Sequence, residues 1–425
     1  MLDAHHATGT WYESTASRGP LRPPLQGRCE ADVCVVGGGL AGLTTAIDLA
    51  RRGKRVRLLE ARRLAWGASG RNGGFVSNGF AEGLDAISRK LGLEVARALF
   101  QLSRFGTEFV RREIAEGDPS IKNGEGWLSL RRHDGGDSLR AYRDALERDY
   151  GERRDFLDTA ETRERLASRC YYQSLYDPSA FHMHPLRYAL LIASRAEAAG
   201  AMLHEQSPVK LVERDGAVWR IRTGAGEVRA PHVVYCVSSL DPRLHAETGR
   251  AVLPVATYVA VTEPLQQDAI RTPAACADQR RAGNYFRLID DGRILWGGAI
   301  TTRISEPARL AECMKRDMLA TFPQLGNPGI ASAWAGLMGY ARHKMPLIGG
   351  DGQGQWWATA FGGHGMNTTA MAGLLISRAI AAGDDEYRRF QPFAPVWAGG
   401  PFGRFVVQAS YWLMQARDRL DESRN

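Results

Sequence analysis

Residues 31–75 carry two hydrophobic rhythms in succession. Val33–Val36 is an unbroken apolar run, as a parallel strand buried on both faces requires. Leu40, Leu43, Ile47 and Ala50 then recur at helical spacing and lay a stripe along one side of a helix, which Gly53 ends. A second apolar run, Val56–Leu59, is closed by Glu60. The pattern predicts strand, helix, strand.

Further on, the rhythm changes with position. Helical spacing covers residues 81–114, a charged helical stretch covers 137–168, and an amphipathic helix covers 186–199, ended by Gly200. Strands are predicted near 126–130, 202–204, 209–213 and 233–237, with a hairpin of 217–222 and 227–229 around 223–226. Aromatic and β-branched residues dominate 252–262 and 285–300, the composition of an antiparallel sheet. Near the end come a strand at 356–360, a glycine-rich turn at 361–365 and a helix at 367–381 ended by Gly383. Residues 1–27 read as an irregular arm, because Pro20, Pro23 and Pro24 block regular structure. Strand–glycine–helix units stand at both ends and antiparallel stretches lie between them. The expected fold is α/β: a discontinuous Rossmann-like dinucleotide-binding domain (1–85, 160–245 and 335–425) with an inserted α+β substrate domain (86–159 and 246–334).

Composition narrows the function classes. The 425 residues exceed one ordinary domain, so two are expected. The formal charge of +8 is dispersed in Arg pairs such as Arg51-Arg52 and Arg153-Arg154, with no basic run of five, so no nucleic-acid partner is expected. The six cysteines form no C-x-x-C pair and no zinc spacing, which fits a reducing compartment and no metal. The first residues lack a basic segment followed by an apolar core, and no uncharged apolar run is long enough to span a bilayer. A cytoplasmic protein without a membrane span is expected.

The chemistry lies in three glycine clusters. Gly37, Gly39 and Gly42 have G-x-G-x-x-G spacing at the strand–helix junction, where Leu40 and Ala41 open the helix. The first glycine permits the turn, the second lets a pyrophosphate approach the helix N-terminus, and the third lets helix and strand pack closely. Glu60, with Ala61 and Arg62 behind it, is placed to accept hydrogen bonds from a ribose. The second cluster, WGASGRNGG at 66–74, offers backbone donors and the short side chains of Ser69 and Asn72. A coenzyme extending past its pyrophosphate would use it. The third, FGGHGMNTTAMAG from residue 361, sets Gly362, Gly363 and Gly365 before a helix, a second positive helix end with His364 beside it.

In this order the three clusters resemble the D-amino-acid-oxidase-like FAD-dependent oxidoreductases. The GASGRNGG form, WYEST near the start and YWLMQARDRL near the end most resemble the gamma-glutamylputrescine oxidoreductase branch. The resemblance implies bound FAD that takes a hydride from the carbon next to an amine nitrogen, followed by imine hydrolysis. It implies cofactor contacts from Gly37, Gly39, Leu40, Ala41, Gly42, Glu60, Ala61 and Arg62. It adds Gly67, Ala68, Ser69, Asn72, Gly73 and Gly74, backbone contacts at Val209, and Gly363, His364, Gly365, Met366 and Asn367 beside the flavin ring. Glycine oxidase-like members carry an Arg where this chain has Met338, so an amine is expected as substrate in place of a free α-amino acid. No Cys lies where sarcosine oxidases attach flavin, the nearest being Cys313, and no Lys stands at 295–296. FAD is therefore expected to be non-covalent, and the electron acceptor is oxygen or another species.

Tyr258, Tyr285, Trp296, Met338 and Tyr340, with Phe286, are the candidate pocket residues, aromatic walls suiting an amine. His182 and His184 are read as turn-stabilising. Arg342, His343 and Lys344 either bind a distal carboxylate or form a solvated loop. Two alternatives stand beside amine oxidation: an oxidase or dehydrogenase of N-methyl or D-amino acids, and an FAD-binding subunit active only within a complex.

Overall fold

The computed structural model describes residues 9–266, 268–280 and 283–422. Three sheets organise them. Val33–Val36 lies inside a six-stranded sheet, flanked by Val56–Leu59 on one side and His232–Tyr235 on the other. Met202–His204 and Gln355–Thr359 continue it outward, all parallel, and Leu347–Gly350 adds an antiparallel edge. The helices Leu40–Arg51, Pro185–Ala198 and Gly365–Ala382 cover one face, with Leu43, Ile47, Ile192 and Leu375 in the shared core. Trp219, Ile221 and Val228 of a four-stranded sheet cover the other. Its hairpin Val218–Arg222 and Gly226–Ala230 forms over the predicted residues.

The third sheet is mixed and mostly antiparallel. Ile330–Tyr340 is its edge strand, followed by Leu253–Thr262, Arg293–Thr301, Tyr285–Ile289 and Ala275–Asp278. Lys122–Leu130, Ser174–Met183 and Phe75–Val76 complete the far side. The predicted run 285–300 is thus two strands, because Asp291 (φ +63°) and Gly292 (φ +70°) reverse the chain between them. The helical spacing over 81–114 resolves into two helices, Leu84–Leu91 and Leu93–Gly117, separated at Gly92 (φ +86°).

Two placements differ from the expected division. Ser174–Met183, expected with the nucleotide unit, is hydrogen-bonded into the large sheet. Leu93–Gly117, expected with the substrate unit, packs on Gly365–Ala382 and Pro185–Ala198 through Phe100, Phe109 and Val110. The arm is not wholly irregular either: Trp11–Thr15 is a short helix capped by Thr10. A long helix that the pattern did not announce, Gly400–Glu422, follows the last predicted one. Among the described residues no helix is long and apolar enough to cross a membrane, and no group of three or more His, Cys, Asp or Glu could hold a metal ion.

Candidate dinucleotide and substrate site

The first glycine turn sits at the C-terminal ends of the parallel strands. Gly37 has φ +107°, and a Cβ there would lie 2.7 Å from the Cys236 carbonyl oxygen, so the position needs glycine. A Cβ at Gly42 would lie 2.0 Å from the Gly37 oxygen, so this residue sets how closely helix and turn approach. Gly39 brings no capping side chain of its own to Leu40–Arg51. Instead the Ser69 hydroxyl, from the second cluster, accepts the Leu40 N–H at 2.9 Å. The first and second clusters therefore meet at one helix N-terminus, where free N–H groups favour negative charge.

Glu60 stands at the end of Val56–Leu59. Its carboxylate accepts the N–H groups of Gly38 (2.7 Å) and Arg62 (2.8 Å), yet burial outweighs both and holds its pKa above the usual carboxylate range. The Arg62 guanidinium lies 4.0 Å over the Trp66 ring. Past Ala61 and Arg62, the Ser207 N–H donates to the Glu60 oxygen and the Gln206 N–H to the Arg62 oxygen. Val209, two residues past Ser207, is buried in the cluster that holds Leu59.

Gly67 and the single 3-10 turn Ala68–Gly70 begin the second cluster. Asn72 was expected to reach the cofactor, but its side chain is spent on its own loop. Its amide donates to the Ala68 and Ser69 oxygens, both at 3.0 Å, and its oxygen accepts the Gly74 N–H at 2.7 Å. Surrounding segments pin the loop. Tyr12 donates to the Asn72 oxygen (2.9 Å), Arg287 to the Gly73 oxygen (2.8 Å), and Trp334 to the Arg71 oxygen (3.0 Å).

At the third cluster, Gly363, His364 and Gly365 lie at the start of Gly365–Ala382. His364 Nε2 donates to the Ser77 oxygen at 3.2 Å, and burial lowers its pKa, so the ring is neutral. Met366 and Asn367 turn their side chains inward. Met366 enters the core, and Asn367 donates to the Gly79 (3.1 Å) and Ser103 (3.4 Å) oxygens. These two residues offer the mouth of the site only backbone.

The pleat of the large sheet separates the pocket candidates. Directly paired residues share a face. Tyr285 pairs Gly297, which pairs Val259, which pairs Trp334; Met338 pairs Val255 and Tyr340 pairs Leu253. This face is turned toward the glycine clusters. A Cβ at Gly73 would lie 2.8 Å from the Tyr285 ring, and one at Gly363 would lie 2.9 Å from the Tyr340 hydroxyl and 3.7 Å from the Met338 sulfur. Tyr258, Phe286 and Trp296 occupy the opposite face, against the helix Leu310–Thr321. Trp296 is wholly buried, stacked 5.0 Å from Phe286, and donates to Asp317; Tyr258 donates to the Ser305 oxygen. The expectation that Tyr258 and Trp296 line the pocket therefore does not hold. A composition rich in aromatics reveals a sheet but not which parity faces in. Tyr285 and Tyr340 are both raised in pKa by burial, so they are neutral phenols.

The remaining candidates have structural partners. His184 caps Pro185–Ala198, accepting the Arg187 N–H at 3.2 Å. His182 donates from Nε2 to the Pro273 oxygen (2.7 Å) and accepts from Arg287 at Nδ1 (3.0 Å). The basic trio does not converge: Lys344 lies 3.9 Å from Glu82, His343 packs beside Phe393, and Arg342 is exposed.

Two features escaped the sequence reading. Arg287 is fully buried and joins Gly73, Asn123, His182 and Met183. Ser239 lies just past His232–Tyr235, and its hydroxyl is buried without a hydrogen-bond partner among the described residues. Two small polar residues after a buried strand were its only signal. A glycine-only cradle, two helix N-termini and an unpaired hydroxyl three residues past Cys236, whose carbonyl abuts Gly37, fit an extended dinucleotide.

The parallel sheet with its acid and the second positive helix end together define a dinucleotide-dependent oxidoreductase. Residues 32–379 match the family described as DAO, FAD dependent oxidoreductase. The chain belongs to that family, and its cofactor is FAD. It is 30% identical to the gamma-glutamylputrescine oxidoreductase of Escherichia coli (strain K12), over 97% of this chain and 99% of that protein. It is 32% identical to the probable oxidoreductase OrdL of Haemophilus influenzae, over 86% of each. Among solved structures, the glycine oxidase of Geobacillus kaustophilus superposes with a TM-score of 0.72 at 21% identity, over 86% of this chain and 98% of that one, which shows the shared fold.

Proposed function

We propose that the protein oxidises a primary or secondary amine, such as a polyamine-derived or gamma-glutamylated amine, at the carbon next to nitrogen, the imine then being hydrolysed. Bound FAD supplies the two-electron acceptor. The residues that would hold it are the Gly37–Gly42 turn with Ser69 and Glu60, the 67–74 loop, and the N-terminus of Gly365–Ala382. Cys236, just past His232–Tyr235 and beside Gly37, has its thiol pushed up to about 12 by burial and stays protonated.

The observation that carries the substrate reading is Met338. It sits on the inward face near Gly363 with no charge to pair with an α-carboxylate. Tyr285 and Tyr340, neutral at working pH, orient and desolvate without acting as bases, so the amine must arrive without its proton. The test is anaerobic mixing of the purified protein with a panel of amines and amino acids, following loss of flavin absorbance. Amines are expected to bleach the flavin and free α-amino acids to leave it oxidised. Faster bleaching by D-amino acids than by any amine overturns the reading.

A further inference from the structure

The helix Gly400–Glu422 is amphipathic the wrong way round. Its polar side faces the protein. Gln408 accepts from the Thr301 hydroxyl (2.8 Å) and the Thr302 N–H (2.9 Å), Arg404 donates to the Thr302 oxygen (2.8 Å), and Glu422 pairs with Arg132 (3.1 Å) and Arg280 (3.5 Å). These ties run from one end to the other, so the helix is anchored along its length. Its apolar side faces outward. Phe402 is 72% exposed, Phe405 64%, Leu413 65%, Trp412 53% and Leu420 59%, and Trp397, just before the helix, is 63% exposed. Globular proteins place such stripes inward, and a large exposed apolar patch marks an interaction surface.

Charge decides what kind. Residues 400–417 contain no acid. Arg417, four residues after Leu413, and Arg419, seven after Trp412, flank the stripe on its two sides. Both are exposed, and neither makes an ion pair among the described residues. The chain as a whole carries +8. A second copy of this face would bring arginine toward arginine along a stretch, residues 400–417, that has no carboxylate to meet it, while Asp418 is buried and Glu422 is engaged by Arg132 and Arg280. An anionic lipid surface offers both an apolar layer and the opposite charge, and tryptophan and arginine suit the boundary between them.

We propose that this outer face seats the protein on the surface of an anionic bilayer, without spanning it. The purified flavin-loaded protein, sedimented with vesicles of phosphatidylcholine containing one-third phosphatidylglycerol, is expected to bind, and to bind pure phosphatidylcholine more weakly. Half-molar salt should reduce the difference. The variant F402S/F405S/L413S alters only exposed side chains. It should keep its flavin and its soluble activity while vesicle affinity falls about a hundredfold or more. R417Q/R419Q should lose about tenfold of the preference for phosphatidylglycerol, and it decides the matter if the triple variant does not fold. Absence of vesicle binding by the wild type overturns the proposal. So does a wild-type dimer in sedimentation equilibrium that the triple variant turns into a monomer with vesicle binding absent throughout, because the face then belongs to a second copy.

Discussion

Gly42→Ala tests the geometry of the first turn most directly. The added methyl would lie 2.0 Å from the Gly37 oxygen, 3.2 Å from its carbonyl carbon and 3.3 Å from a Val35 methyl. The first distance is over an ångström inside van der Waals contact. The obstacle is backbone, already fixed by the Gly37 N–H bond to the Leu59 oxygen (2.9 Å), so no flexible side chain can move aside. The helix Leu40–Arg51 must slide or tilt away from its strand. Overpacking of this kind costs about 1–3 kcal/mol. The displacement falls where Leu40 N–H and Ser69 define the anion site, so most of the cost should appear in coenzyme binding. Titration of apoprotein with FAD, read by quenching of flavin fluorescence, should give a Kd about 10–100-fold weaker, at 1.4 kcal/mol per decade. Circular dichroism should report a folded chain. Gly83→Ala is the control: φ is −69° there and nothing lies within 4 Å of the added Cβ, so affinity should stay at the wild-type value. A Gly42→Ala protein binding FAD within twofold of wild type would refute this account of the turn.

Three further predictions follow from the same site. Met338→Arg should let a free amino acid or a small carboxylate inhibitor bind about 10-fold more tightly, from one new charge-assisted pair of roughly 1.5 kcal/mol or more, read as inhibition or flavin reduction; unchanged affinity would remove Met338 from the substrate face. Arg287→Met should leave the Gly73 and Met183 oxygens buried without donors, at roughly 1–3 kcal/mol each, and lower both the urea midpoint and flavin retention; an unchanged midpoint would contradict the assigned role. Burial, aided by Arg287, lowers His182 to about 3, and burial lowers His184 to about 3 with help from Arg187, so both are neutral when folded. The unfolded chain takes up those protons near 6.5, so between pH 6.5 and 3 it binds more protons than the native state, and stability should fall as pH drops through that window, approaching roughly 1.4 kcal/mol per unit per histidine. His182→Gln should flatten the dependence, measured as urea midpoints from pH 7 to 5.

What the chain announced, it announced through local rules. Val33–Val36, the glycine spacing and Glu60 are read within thirty residues, and the hairpin near Thr223 needs only its turn. The reversal at Asp291-Gly292 was written in the sequence but lies inside a continuous hydrophobic pattern, which hid it. Tyr258 and Trp296 were misplaced because strand parity is set by pairing with distant partners. Arg287 and Ser239 were missed for a related reason: a buried guanidinium among backbone oxygens, or a single unpaired hydroxyl, has no sequence period. Gly400–Glu422 escaped because the search for a helix assumes that its apolar stripe points home.

The hydrogen bond from Tyr12 to the Asn72 oxygen has a consequence for biosynthesis. Tyr12 also lies edge-on to Trp334, 5.3 Å between ring centres, and within reach of Arg287. The clamp on the second glycine loop thus joins the first dozen residues to a strand that leaves the ribosome only after three-quarters of the polypeptide. A nascent chain stalled before that strand would own every glycine of the first turn yet lack the brace that steadies their neighbours.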